Sequence, residues 1–161
     1  MLHPTPSRSR YPPSLTHILQ APSMPTSPDP RVLVIVCSES DRPRIEPAFG
    51  VLDKANVPYE FVVSSAHRDP DKTTRLAREA AGRGIKVIIA GAGLSAALPG
   101  AVSSVTTLPV IGVPFAAGAL NGFDALLAIA QLPSGVPVGT VGIDNAKNAA
   151  HLAIRILSLL P

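Results

Sequence analysis

The residues of this chain that can do chemistry gather in three short segments. The first is Ser38-Glu39-Ser40-Asp41. Its two hydroxyls lie beside backbone amides about to enter a helix, an arrangement suited to phosphate, and a carboxylate there suits ribose hydroxyls. The same residues read equally well as a plain N-cap cluster. No GxxxxGK[ST] string occurs, so this is not a P-loop. The second segment is Ser64-Ser65-Ala66-His67-Arg68, which follows an apolar run. Arg68 offers a rigid guanidinium fork for phosphate. His67 can exchange a proton near neutral pH and is the candidate acid/base group. An incidental surface histidine is the alternative. The third segment, 91–100, reads GAGLSAALPG. Gly91, Ala92, Gly93, Leu94, Ala97 and Leu98 would let a ligand approach the backbone, whose amides bind anions. A tight connection from strand to helix fits the same string.

The remaining candidates are weaker. His3 and His17 fall in the first thirty residues, and His151 falls in the last helical stretch, where packing is the simpler role. Scattered histidines with a single cysteine, Cys37, give neither a metal-ligand spacing nor an intrachain disulfide.

The elements that must position these loops alternate. Residues 31–37 (RVLVIVC), 58–64 (PYEFVVS), 86–90 (KVIIA), 110–114 (VIGVP) and 136–141 (VPVGTV) read as strands. Helices are expected from Pro43 to about Asn56, from Asp69 to about Arg83, over about 122–132 and over about 145–160. Pro47 and Gly50 predict an irregular first helix. Ala149, Leu152, Ala153, Ile156 and Leu160 fall on one face of the last. This alternation predicts right-handed βαβ units: an α/β, three-layer αβα sandwich around a parallel sheet. In such sheets ligands bind beyond the carboxyl ends of the strands, near the switch in strand order. The loops at 38–41, 64–70, 91–100 and 114–122 fall at those ends.

Composition agrees and narrows the field. The chain has 161 residues, 46% of them hydrophobic but only 4% aromatic, so its core is built of Ala, Val, Leu and Ile. Two of the 14 basic residues and one of the 11 acidic residues lie in residues 1–30, leaving 12 against 10 in the remainder. With no dense basic run and no aromatic platform, nucleic-acid binding is a poor reading. No apolar run approaches membrane-spanning length and no signal-peptide core is visible, which favours the cytoplasm. Residues 1–30 hold eight of the 18 prolines and five serines. They read as a disordered Pro/Ser-rich extension, with Met24 as an alternative start and a faint transit-peptide character. Residues 31–161 read as one domain.

From about Val32 to Leu160 the chain resembles the PurE family of N5-carboxyaminoimidazole ribonucleotide mutases. The strings that carry the resemblance are SESD, SSAHRDPDKT, VIIAGAG, ALPG, LPVIGVP, NGFDALLAIAQLPSGVPVGTV and NAA, in that order. The resemblance implies a flavodoxin-like sheet and conversion of N5-carboxyaminoimidazole ribonucleotide to 4-carboxyaminoimidazole ribonucleotide in purine biosynthesis. It implies no metal or organic cofactor, and an octamer with active sites between subunits. His67 would be the proton shuttle. Ser38, Ser40 and Asp41 would meet ribose and phosphate, Ser65 and Arg68 the phosphate, Ala66 would be a further substrate contact, and residues 91–98 would wall the pocket.

Three departures stand out. Cys37 replaces a usual Gly. Ala97 replaces the His that bacterial mutases carry before LPG. Many members also carry a further helix beyond the position of Pro161. Direct carboxylases of the same family lack that His too, but tend to have Lys at the position of Arg68. Carboxylation of aminoimidazole ribonucleotide by free carbon dioxide is therefore the alternative reaction, and a non-catalytic or altered-substrate nucleotide-binding relative is a third reading.

Overall fold

The computed structural model describes residues 29–161. The expectations for residues 1–28, His3, His17 and Met24 among them, lie outside the described residues. Five parallel strands form one sheet: β1 (Val32–Val36), β2 (Tyr59–Val63), β3 (Val87–Ala92), β4 (Val110–Pro114) and β5 (Gly139–Thr140). Their order is β2-β1-β3-β4-β5. The chain steps outward from β1 to β2, then crosses to the other side for β3, so the switch point lies between β1 and β3. Val34 is in register with Phe61 on one side and Ile89 on the other. A strand paired on both edges and covered on both faces must be apolar throughout, and every residue of β1 is buried.

Five α-helices complete the layers: α1 (Arg42–Lys54), α2 (Pro70–Glu79), α3 (Leu98–Ser103), α4 (Phe123–Ala130) and α5 (Ala146–Leu157). Strand side chains alternate between the faces. Val34, Val36, Ile89 and Val113 pack against Ile45, Ala48 and Leu52 of α1 and Ala149, Ala150 and Ala153 of α5. Leu33, Ile35, Ile88 and Ala90 pack against Ala77 of α2, Leu98 and Val102 of α3, and Ala125 and Ile129 of α4.

Several elements depart from the sequence reading. Gly91 and Ala92 belong to β3, not to the loop after it, because the strand stays paired with β4 through Ala92 and Pro114. The short helix α3 was given no range by the sequence, although a strand-to-helix connection was one reading of residues 91–100. It forms in a Gly/Ala/Pro stretch that lacks a helical apolar repeat, and it starts with Pro99 in its first turn. Pro47 does not interrupt α1, which runs unbroken for 13 residues. It is the sixth residue of the helix, so its missing N–H forfeits a single bond near the N-terminus. β5 shrinks to two residues from the six expected. α5 stops at Leu157, so Leu160 lies beyond it and is exposed, and Ala146 and Leu157 join the buried stripe.

Candidate active site

The loops after β1 and β2 are drawn together at the carboxyl edge of the sheet. Ser38 leaves β1 in extended conformation and caps a turn of 3-10 helix, Glu39–Asp41. Its hydroxyl oxygen accepts from the Ser40 N–H at 3.3 Å and from the Ser40 hydroxyl at 2.9 Å. The two hydroxyls thus face one another at the entrance to α1. Asp41 is half-buried, and burial raises its carboxyl above the usual range; a bond from the Ser38 backbone and the charges of Arg44 and Arg68 work in the opposite direction.

After β2 the chain closes a tight turn. The Asp69 N–H donates to the Ser65 carbonyl at 2.9 Å, and the Arg68 N–H to the Ser65 hydroxyl at 3.3 Å. Asp69 then caps α2, its carboxylate accepting from the Lys72 N–H at 3.1 Å, with Pro70 in the first turn. This is the local chemistry expected of a helix start. Below the turn, the buried hydroxyls of Ser64 and Thr73 bond to each other at 2.8 Å and fasten α2 to the end of β2. The turn presents His67 and Arg68 outward, both exposed, while Ala66 is half-buried against the α2–α4 half of the core.

Arg68 joins the two loops. Its Nη2 donates to the Cys37 carbonyl at 3.3 Å. Burial, followed by the charge of Asp41, pushes the Cys37 thiol up, while the Ala66 backbone and Arg68 oppose that rise. A cleft of about 390 Å³ results, lined by Cys37, Ser38, Glu39, Ser64, Ser65, Arg68, Asp69 and Lys72 among others. It offers hydroxyls, two cationic side chains and carboxylates, the complement of a phosphorylated sugar.

Lys72 was not singled out from the sequence. It sits one turn into α2 and donates from Nζ to the Val63 carbonyl at 2.9 Å, which holds its ammonium at the cleft. The capping string Asp69-Pro70-Asp71-Lys72 was the available signal, because it fixes the third helical residue on the side of the preceding turn.

The third segment stands apart from this cleft. Gly91 is buried within β3, where a β-carbon would lie 2.3 Å from Cζ of Phe115. The glycine therefore makes room for a ring of the protein itself. Gly93 abuts Ala117, and the Leu94 side chain is exposed beside Gly118. Ala97 is half-buried just before α3, and Leu98 is buried on the α2–α4 side of the sheet. None of residues 91–98 lines the cleft between the first two loops. Among the described residues no cluster of three His, Cys, Asp or Glu side chains could hold a metal ion, and no helix is long and apolar enough to cross a membrane.

The fold and cleft define a flavodoxin-like α/β protein with a polar, cation-bearing cleft at the carboxyl ends of β1 and β2, beside the switch point of its parallel sheet. The sequence profile of the AIR carboxylase family matches residues 31–160. The chain is 55% identical over 133 residues to an N5-carboxyaminoimidazole ribonucleotide mutase of Pyrococcus horikoshii, covering 83% of this chain and 75% of that one. It is 52% identical over 130 residues to the mutase of the same name from Thermotoga maritima, covering 81% and 76%. A phosphoribosylaminoimidazole carboxylase of Schizosaccharomyces pombe is 52% identical over 129 residues, a match that spans 80% of this chain and 23% of the yeast protein. Among solved structures, Treponema denticola PurE superposes with a TM-score of 0.74 at 29% identity over 82% of each chain. The chain belongs to the AIR carboxylase family.

Proposed function

We propose that the protein is an N5-carboxyaminoimidazole ribonucleotide mutase of purine biosynthesis, with His67 moving the proton. The observation that carries the reading is the junction of the two loops: Arg68 bonds the Cys37 carbonyl, and Ser38, whose hydroxyl accepts from that of Ser40, shares one cleft with Ser65, Arg68 and Lys72. The mutase relatives, 52–55% identical across the whole sheet, supply the substrate. In this reading Arg68 and Ser65 hold the phosphate, and Ser38, Ser40 and Asp41 meet ribose and phosphate. Ala66 and residues 91–98 border the imidazole.

The reaction balances on one proton. As the carbamate N–C bond breaks, its electron pair returns to nitrogen and carbon dioxide departs, while the His67 imidazolium supplies the proton. The ring C4 then bonds to the retained carbon dioxide. The neutral imidazole removes the C4 proton and restores both the aromatic ring and its own charge. A group serving in both directions needs to titrate near the working pH, which histidine does.

The exposed position of His67 fits a site completed by another copy of the chain. Leu94, Leu120, Phe123 and Leu127 are exposed by 66%, 61%, 63% and 54% on the post-β3 loop, the post-β4 loop and α4. Large apolar side chains left bare on adjoining segments mark an association surface. We take that surface to build a homo-oligomer, an octamer by family resemblance, in the cytoplasm, from a domain that begins near Arg31.

The decisive variant is His67→Asn. Turnover should fall roughly 100-fold or more, the scale of general acid–base catalysis, with ribonucleotide binding kept. Near-normal turnover by a folded sample would remove His67 from this role. Direct carboxylation stays as the second reading because relatives from yeasts carry that name and Ala97 provides no second imidazole. Labelled bicarbonate separates the two: a mutase keeps label out of the product during forward turnover, whereas a carboxylase incorporates it.

A further inference from the structure

Among the described residues three pairs of oppositely charged side chains come within ion-pair distance. Arg42 and Glu39 are one helical turn apart, and Arg83–Glu60 fastens the outer edge at β2. The third, Arg44 with Asp144, joins residues 100 positions apart. Arg44 Nη1 donates to both carboxylate oxygens of Asp144 at 2.9 Å.

Asp144 is held from behind as well. Its backbone has φ of +53°, in the left-handed region that Asp and Asn tolerate best among non-glycine residues. Its N–H donates to the Pro114 carbonyl at 2.9 Å, while its Oδ1 accepts from the Ala116 N–H at 3.2 Å. Main chain and side chain thus bracket residues 114–116, where the chain leaves β4. The same segment continues into Ala117, packed against Gly93, and Gly118, packed against Leu94. At the other end, Arg44 lies three residues beyond Asp41 and its charge acts on that carboxylate.

We propose that Arg44 and Asp144 are positioning residues, a clamp that holds the Ser38–Asp41 loop in register with the 93–97 loop through the backbone at Ala116. The bonds of the clamp end at Ala116, and the last step to the 93–97 loop is the packing of Ala117 on Gly93 and of Gly118 on Leu94. The clamp deepens the proposed mutase reading and rests on it. The paired side chains are 39% and 40% exposed, so the pair contributes little to global stability. Its effect lies in geometry, where small displacements of substrate-holding groups are costly.

The test compares Asp144→Asn, Arg44→Gln, their double variant and Arg44→Lys in the full-length enzyme. Asn keeps the acceptor for Ala116 and tolerates the backbone angle. With the carbamate substrate, each charge-removing single variant should raise KM about tenfold, equivalent to about 1.4 kcal/mol. The kcat should stay within about twofold, and the melting temperature should move by no more than about 4 °C. The double variant should be no worse than either single, and Arg44→Lys should recover part of the loss. Amide exchange at residues 93–97 should quicken about tenfold in both charge-removing singles, a readout that needs no turnover. Unchanged KM with unchanged exchange overturns the clamp, as do single effects that simply add. Unfolding accompanied by normal KM in the surviving enzyme also overturns it. Should wild-type enzyme turn over neither imidazole substrate, the reaction reading fails, and the exchange data decide the clamp by themselves.

Discussion

Replacing Gly91 by alanine tests whether the glycine serves a ligand or the protein's own packing. An ideal β-carbon at Gly91 would lie 2.3, 2.8 and 3.3 Å from Cζ, Cε2 and Cε1 of Phe115. Ordinary carbon–carbon contact needs about 3.5 Å, so the ring must retreat by roughly 1 Å. Phe115 is fully buried in the α1–α5 half of the core, so its retreat displaces neighbours in turn. Overpacking of this kind costs about 1–3 kcal/mol. At about 2–4 °C per kcal/mol for a chain of this size, a loss of 2 kcal/mol lowers the melting temperature by about 6 °C. Thermal unfolding by circular dichroism, with urea midpoints as a second measure, reads this directly. Phe115→Leu in the same background removes the obstructing ring, so the double variant should cost less than the sum of the singles. A loss under about 0.5 kcal/mol for Gly91→Ala, within the range of an unremarkable substitution, would refute the steric argument. Strictly additive effects with Phe115→Leu would refute it as well, and either result would return Gly91 to the ligand-approach reading.

Two further expectations concern the cleft. Arg68→Ala should weaken binding of the ribonucleotide by about 10-fold or more while sparing the phosphate-free nucleoside, since a hydrogen bond to a charged group contributes about 1.5–3 kcal/mol; equal losses for both ligands would exclude phosphate contact. Asp41→Asn should weaken substrate binding yet raise thermal stability at pH 7. A carboxyl raised by burial keeps its proton to higher pH in the folded state than in the unfolded one, so stability falls as pH rises through the interval above the ordinary value. The advantage of Asn should therefore shrink as the pH is lowered and vanish below about 3, where Asp41 is protonated in both states; a difference in melting temperature that is flat with pH would contradict it.

The sheet was legible because its strands are nearly continuous Val/Ile runs, a pattern that only a doubly covered parallel sheet demands. The loops after β1 and β2 were legible because turn and cap chemistry is local: Ser38 and Asp69 each satisfy amides within three residues. What the sequence hid is of two kinds. Small residues carry little periodic signal, so Gly91 and Ala92 passed for loop and α3 could be given no bounds. Long-range pairings leave no trace in spacing, which is why Arg44 and Asp144, or Gly91 and Phe115, could not be matched beforehand. Lys72 lies between these cases, since its partner Val63 is near in sequence but the bond depends on the turn between them.

The covering of one sheet face by α1 and α5 has a consequence for how the domain acquires its shape. Among the described α-helices these are the first and the fifth, and the side chains of Val34, Val36, Ile89 and Val113 face the two of them from the sheet. A growing chain can pair β1 with β3 long before Ala146 exists, but half the apolar surface of that sheet then has one helix to cover it. Completion requires closing a segment of roughly 90 residues, whose entropic cost grows only slowly with length but which slows assembly of such non-local contacts. The entrance to α1, where the Ser38 and Asp41 groups stand, is thus set in its final place only once α5 has been made. Maturation of the cleft between the first two loops is tied to α5 although none of the cleft's lining residues comes from that helix.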